Sequence, residues 1–338
     1  MLIRRLCTLV ITLTSVAGLV ACGGAADKKD AKKVEAKAED TKAEVKDDAK
    51  KAPRARARAA EELRMPAPKG RVVAIGGLGG DLVATNAALK AAGALDDDGN
   101  WAGGDLVVVQ IGNQLGGGKD EKAVLALLDR LADEASKAGG AVYRLTGANE
   151  ILNVALNFDG VSAKGFKDYA GEKPAGEDPR IDGLPKDRRG RAAAFASGGP
   201  VAKKLAEQKL VLIVGDTVFA HGGVLEEHVK EGLDTINNLG KKWMLGEEAL
   251  MPNPLAEMGP ARSAKLRGGE PYCGGVEQVL SDLAVKRMVI QRGPEKSEAS
   301  MCDGKLLRIG PAAGDASGGP EVLEISGDAT KVIAVAKE

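Results

Sequence analysis

Short apolar runs alternate with glycine-rich loops and amphipathic stretches over most of the chain. Arg71–Ile75 reads as a strand, followed by the loop Gly76–Gly80 and a helix to Ala92 that Asp81 caps. Asp105–Ile111 predicts a second strand, then the loop Gly112–Gly118 and an amphipathic helix from Lys119 to Lys137. Ala141–Leu145 predicts a third strand, which ends in Thr146-Gly147-Ala148-Asn149-Glu150; a further helix starts at Glu150. Val211–Val214 is apolar without alternation, as in a strand covered on both faces. Gly215-Asp216 suits a tight hairpin into a second short strand, which delivers His221 ahead of the flexible pair Gly222-Gly223. Leu225–Asn238 and Val276–Ala284 predict helices. Arg287–Gln291, Leu306–Ile309, Val322–Ile325 and Lys331–Val335 predict late strands, antiparallel in spacing. Asp159–Arg191 is polar and rich in Gly, Lys and Asp, and reads as part of an insertion over residues 159–205. The alternation predicts an α/β core whose loops gather at the carboxyl ends of its strands, where such sheets place ligands.

The first residues follow a different pattern. Arg4 and Arg5 precede the apolar stretch Leu6–Ala21, which is too short for a stable membrane span and reads as a signal segment, residues 1–21. It ends in Leu19-Val20-Ala21-Cys22-Gly23, which resembles the lipobox of bacterial lipoproteins. That resemblance implies cleavage before Cys22, acylation of its thiol, and a membrane partner. The expected location is the bacterial cell envelope, facing the periplasm or the exterior. Residues 22–66 are then a tether dominated by Ala, Lys, Glu and Asp, and no aromatic residue precedes Trp101. Such a composition buries too little apolar surface to offset the entropy of ordering. The globular part is expected over residues 67–338.

Charge narrows the function. The chain has 48 basic and 48 acidic residues and 3% aromatics, with no basic stripe, which argues against a nucleic-acid partner. Two nucleotide motifs also fail. The dinucleotide fingerprint needs Gly where Leu82 stands, and the phosphate loop needs Ser or Thr where Asp120 follows Lys119. Of four cysteines, Cys7 lies in the signal and Cys22 carries the lipid, leaving Cys273 and Cys302 as a candidate disulfide in an oxidising compartment.

The segments RVVAIGGLGGDL, DDDGNWAGGDLVVVQIGNQL, GANEILNV, VGDTVFAHGGV, VKRMVIQRGP and SMCDGKLLRI, in this order, resemble the calcineurin-like metallophosphoesterases, and among them the Shewanella-like protein phosphatases. The resemblance runs from Lys69 to the C-terminus. It implies an α/β fold, a β-sandwich of mixed sheets flanked by helices in four layers (α/β/β/α). It also implies two divalent metals roughly 4 Å apart that generate hydroxide and clamp a phosphoryl group.

The residues that would carry this chemistry differ from the family's. Its first-loop aspartate and histidine positions hold Gly77 and Gly79, and its second-loop metal aspartate position holds Asn113. The later aspartate and arginine of that loop correspond to Gly116 and Gly117. In the third loop Ala148 and Asn149 replace the ligand asparagine and the catalytic histidine, while Glu150 remains. Arg292 replaces the late histidine. Of six metal-ligand positions only His221 keeps its residue. The other histidine, His228, lies in a predicted helix away from the motifs.

Glycine and alanine offer no side-chain donor, and arginine sets a positive charge where a cation would sit. The sequence therefore points to a pseudophosphatase that needs no cofactor and acts by binding a protein or a phosphorylated ligand. Gly79, Gly80, Gly117, Gly118 and Arg292 are the expected lining of an anion pocket. Two alternatives stay open. One is a residual phosphoesterase with a single metal such as Mn or Zn at His221, Asn113 and Glu150. The other is a structural envelope lipoprotein.

Overall fold

A computed structural model describes residues 63–116, 118–174, 176–293, 299–310 and 321–335. The signal segment, Cys22, most of the tether and Gly117 lie outside the described residues. Two mixed sheets face each other. The first has the order β1-β5-β6-β7-β9-β8 and the second β11-β10-β2-β3-β4. In the second, β2 (Val72–Ile75), β3 (Val107–Gln110) and β4 (Ala141–Arg144) are parallel, and the hairpin of β10 (Glu321–Ser326) and β11 (Ala329–Ala334) adds antiparallel to β2. In the first, β5 (Val211–Val214) and β6 (Thr217–Ala220) form the expected hairpin, extended by β7 (Arg287–Gln291), β9 (Leu306–Ile309) and the short β8 (Ser300–Met301).

Strand alternation builds three apolar layers. Val72 and Ala74 point between the sheets, against Leu212, Phe219 and Val289. Val73 and Ile75 point outward, to α1 (Leu82–Ala91) and α2 (Glu121–Ala138), where Leu89, Leu128 and Leu131 cover them. Ile213, Val218 and Ile290 cover the outer face of the first sheet under a second helical layer. That layer includes α8 (Glu226–Glu231), α9 (Leu233–Leu245) and α10 (Cys273–Asp282). The fold is thus an α/β/β/α sandwich. Asp81 accepts a hydrogen bond from the Ala84 N–H and caps α1.

Several elements differ from the sequence reading. β7 runs parallel to both β6 and β9, so the late strands are antiparallel only in the β8–β9 and β10–β11 pairs. The apolar pattern alone does not encode strand direction. The predicted helix 225–238 breaks at Gly232, whose φ of 96° ends α8, and α9 continues to Leu245 because Trp243 and Met244 are buried. The insertion is helical, with α3 (Ala148–Val154) leading to α4 (Ala163–Asp168), α5 (Pro179–Asp182), α6 (Lys186–Phe195) and α7 (Pro200–Leu205). The folded part starts before residue 67. Arg64–Met65 form β1, parallel to Ile213–Val214, Leu63 packs on the main core, and the Arg64 guanidinium donates to Leu283 O.

Cys273 and Cys302 are joined, with Cα atoms 5.3 Å apart and a sequence separation of 29. Closing a loop of that length stabilises the fold by about 3–4 kcal/mol on chain-entropy grounds.

Candidate functional site

The loops after β2, β3, β4, β6 and β7 meet at one end of the sandwich, as the strand pattern requires. They are tied to one another rather than open to a ligand. Asn113, at φ 54°, accepts the Leu78 and Gly79 N–H groups on its carbonyl, at 2.9 and 3.0 Å. Its side-chain Oδ1 accepts the Asn149 N–H at 2.9 Å, at the start of α3. Asn149 Nδ2 returns to Leu115 O at 2.7 Å. The fully buried Glu150 carboxylate accepts three backbone N–H groups, from Gly147 at 2.7 Å, Asn113 at 2.8 Å and Leu115 at 3.0 Å. Burial still pushes this carboxyl above its ordinary range, against those donors.

Side chains also cross between the sheets. His221 Nδ1 lies 3.0 Å from Ile111 O, and its Nε2 is buried without a hydrogen-bond partner among the described residues. Burial first, then the Arg267 guanidinium, holds the imidazole well below its usual range. Gln291 Oε1 accepts the Gly77 N–H at 2.8 Å, and its Nε2 donates to Gly310 O. Gln110 Nε2 donates to Gly76 O at 3.1 Å and to Gly112 O at 2.8 Å. Gln110 and Gln291 were visible in the sequence as polar residues at the ends of otherwise apolar strands, but no motif singled them out. Gly112 permits a close approach of the second and third loops, since a Cβ there would sit 2.6 Å from Gly147 N.

Below the loops is a buried ion pair that the sequence reading missed. Arg191 and Glu121 are both fully buried, 2.6 Å apart. Arg191 Nε donates to Asn153 Oδ1 at 2.7 Å, and the guanidinium lies 5.1 Å from the Tyr169 ring and 4.8 Å from that of Phe195. Glu121 Oε1 accepts the Gly116 N–H at 3.2 Å, so the pair joins the insertion to the second loop. No local pattern marks two charges 70 residues apart.

Of the expected lining of the anion pocket, the described glycines spend their N–H groups on neighbouring loops. The Gly79, Gly80 and Gly118 N–H groups donate to Asn113 O, Gln114 O and Gly79 O at 3.0, 2.8 and 2.8 Å. Gly117 is outside the described residues. Without side chains the first two loops close on each other, and a Cβ at Gly118 would lie 2.1 Å from Gly80 O. Arg292 pairs with Glu321 at 3.0 Å and donates to Arg308 O at 3.1 Å.

The residues present do not fit two metals either. Gly77, Gly79 and Ala148 bring no donor, and Arg292 brings a guanidinium. Of the alternative trio of His221, Asn113 and Glu150, two members are engaged, because the Asn113 Oδ1 caps α3 and both Glu150 oxygens hold backbone N–H groups, which leaves His221 Nε2 alone to face a cation. Among the described residues no group of three or more His, Cys, Asp or Glu side chains is placed to hold a metal ion, and no helix is long and apolar enough to cross a membrane.

No family model matches the chain. It is 33% identical over 307 residues to Shewanella-like protein phosphatase 2 of Arabidopsis thaliana, across 76% of this chain and 75% of the relative. Among solved structures, a cold-active protein tyrosine phosphatase of a psychrophilic Shewanella superposes with a TM-score of 0.62 at 18% identity, over 81% of this chain and 82% of that one. A protein serine/threonine phosphatase of Saccharomyces cerevisiae follows at a TM-score of 0.51 and 11% identity, over 82% of this chain and 84% of that one. These two likenesses are of fold.

Proposed function

The chain belongs to the Shewanella-like protein phosphatases, and from that premise we propose that it is a pseudophosphatase: the phosphatase fold kept as a binding protein, held at the envelope membrane through lipidated Cys22. The observation that carries this reading is the fate of Glu150 and Asn113. A metal site needs free, converging oxygen and nitrogen donors. Here the one retained acid of the third loop accepts Gly147, Asn113 and Leu115 N–H groups, and Asn113 Oδ1 caps a helix. Freeing either group for a cation would leave buried backbone donors without partners, at about 1–3 kcal/mol each. The engaged N–H groups of Gly79, Gly80 and Gly118 weigh against phosphate capture by the loops and favour a protein partner.

The test is elemental analysis of the protein purified with manganese present, alongside turnover of a chromogenic phosphomonoester. The expected result is metal far below one equivalent and no turnover above buffer. One or two tightly held metals with turnover would return the chain to the hydrolases.

A further inference from the structure

Three arginines surround the segment beside the His221 loop, and among the described residues one carboxylate answers them. Arg308, in β9, is fully buried and meets backbone oxygens: its Nε donates to Leu266 O at 2.7 Å, and its terminal nitrogens donate to Gly269 O at 3.0 Å and Gly268 O at 3.5 Å. Arg292, just after β7, holds the Glu321 carboxylate at 3.0 Å. Arg267 holds none. Its side chain makes no hydrogen bond, ion pair or ring contact, and its Nε is sealed from water without an acceptor.

Arg267 is nevertheless firmly seated. Arg308 grips carbonyls on both sides of it, and the Gly293 N–H donates to its own carbonyl at 2.8 Å. Gly223, at φ 95°, lets the His221 loop close on the adjoining Leu266, where a Cβ would fall 2.8 Å from Leu266 Cδ1. Burial pulls the Arg267 guanidinium below its ordinary range, yet the residue is only half-buried, and its terminal nitrogens are not sealed as Nε is. A desolvated charge without a partner is costly, and an unmet donor in a fixed position calls for an acceptor from outside.

The surroundings select that acceptor. A guanidinium edge presents two parallel N–H groups, which match the two oxygens of a carboxylate. A phosphate dianion wants more donors, and the nearby ones are spent: Arg292 on Glu321, and the Gly79, Gly80 and Gly118 N–H groups on loop carbonyls. His221 gives its Nδ1 proton to Ile111 O, so its buried Nε2 turns a lone pair, which does not hold an oxyanion, toward anything seated deeper. We propose that Arg267 is a recognition site for a carboxylate, supplied by an aspartate or glutamate side chain of a partner protein and laid against the terminal nitrogens of the guanidinium. This rests on the binding-protein reading above and names the chemistry of the partner.

Titration calorimetry on the full chain, in low-salt buffer without metal or phosphate, tests it. The probes are the acetylated and amidated pentapeptide Ala-Ser-Glu-Ser-Ala, its glutamine version, and inorganic phosphate. The glutamate peptide is expected to bind about tenfold more tightly than the glutamine peptide, and more tightly than phosphate. Arg267→Met should erase the preference for glutamate, and Arg267→Lys should weaken it about threefold by removing the fork. Equal affinity for the two peptides, a preference that survives Arg267→Met, or tighter binding of phosphate would overturn the proposal. A second measurement needs no ligand. Methionine keeps the packing of the arginine stem and strands no partner, so Arg267→Met should leave the urea midpoint unchanged or raised. A lowered midpoint would reveal an internal partner and likewise overturn the proposal. Failure of the peptides without bound metal leaves the pseudophosphatase reading standing, whereas bound metal with turnover removes that reading whatever the peptides do.

Discussion

His221 Nδ1 faces a carbonyl oxygen, which only accepts, so the neutral ring carries its proton there and leaves Nε2 as a bare acceptor. Burial keeps the folded imidazole neutral far below the usual 6.5, and burial lowers His228 as well. The unfolded chain therefore takes up protons below about pH 6.5 that the folded chain does not. Stability is expected to be full above pH 7 and to fall as pH drops through 6.5, with a limiting slope of about 1.4 kcal/mol per pH unit for each histidine. Chemical denaturation between pH 7.5 and 5.5 measures this, and His221→Gln should remove about one proton from the slope. An unchanged slope in that variant would show that the imidazole is not buried neutral. At this scale the sequence was partly legible. The family resemblance assigned His221, Asn113 and Glu150 to one site, by matching them to its motif positions. It did not show that these groups hydrogen-bond to the loops, since the partners are backbone N–H groups for Asn113 and Glu150 and the Ile111 carbonyl for His221, which no residue code identifies.

Elements meet across the Arg191–Glu121 pair, which joins α6 to α2 and, through Gly116 and Asn153, to the second loop and α3. Removing one member of a buried pair strands the other charge, at about 3–5 kcal/mol, whereas replacing both with apolar groups of similar volume costs far less. Glu121→Gln should therefore lower the urea midpoint more than the double change Glu121→Leu with Arg191→Met. A double variant as unstable as the single one would mean that the pair works through the Gly116 and Asn153 hydrogen bonds alone. The strands and helices that position the site followed from periodicity: β5 and β6 fall where the apolar runs and the Gly-Asp turn put them. The break at Gly232 and the parallel pairing of β7 with β9 did not follow, because one depends on a single positive φ and the other on long-range register.

For the whole molecule, the family resemblance carried the four-layer architecture, while the attachment of the N-terminal segment came from elsewhere. Cys22 is the proposed anchor, so Cys22→Ser should move the protein from the detergent-extracted membrane fraction to the soluble one; retention in the membrane fraction would sink the lipid assignment. The globular part begins with β1, two residues laid along the edge of the first sheet and fastened by Arg64 to Leu283 O. A force transmitted along a membrane anchor would act first on those few bonds. Were Cys22 that anchor, β1 would act as a mechanical fuse: its peeling would bare the β5 edge at Ile213 and Val214 to strand addition from a neighbouring molecule.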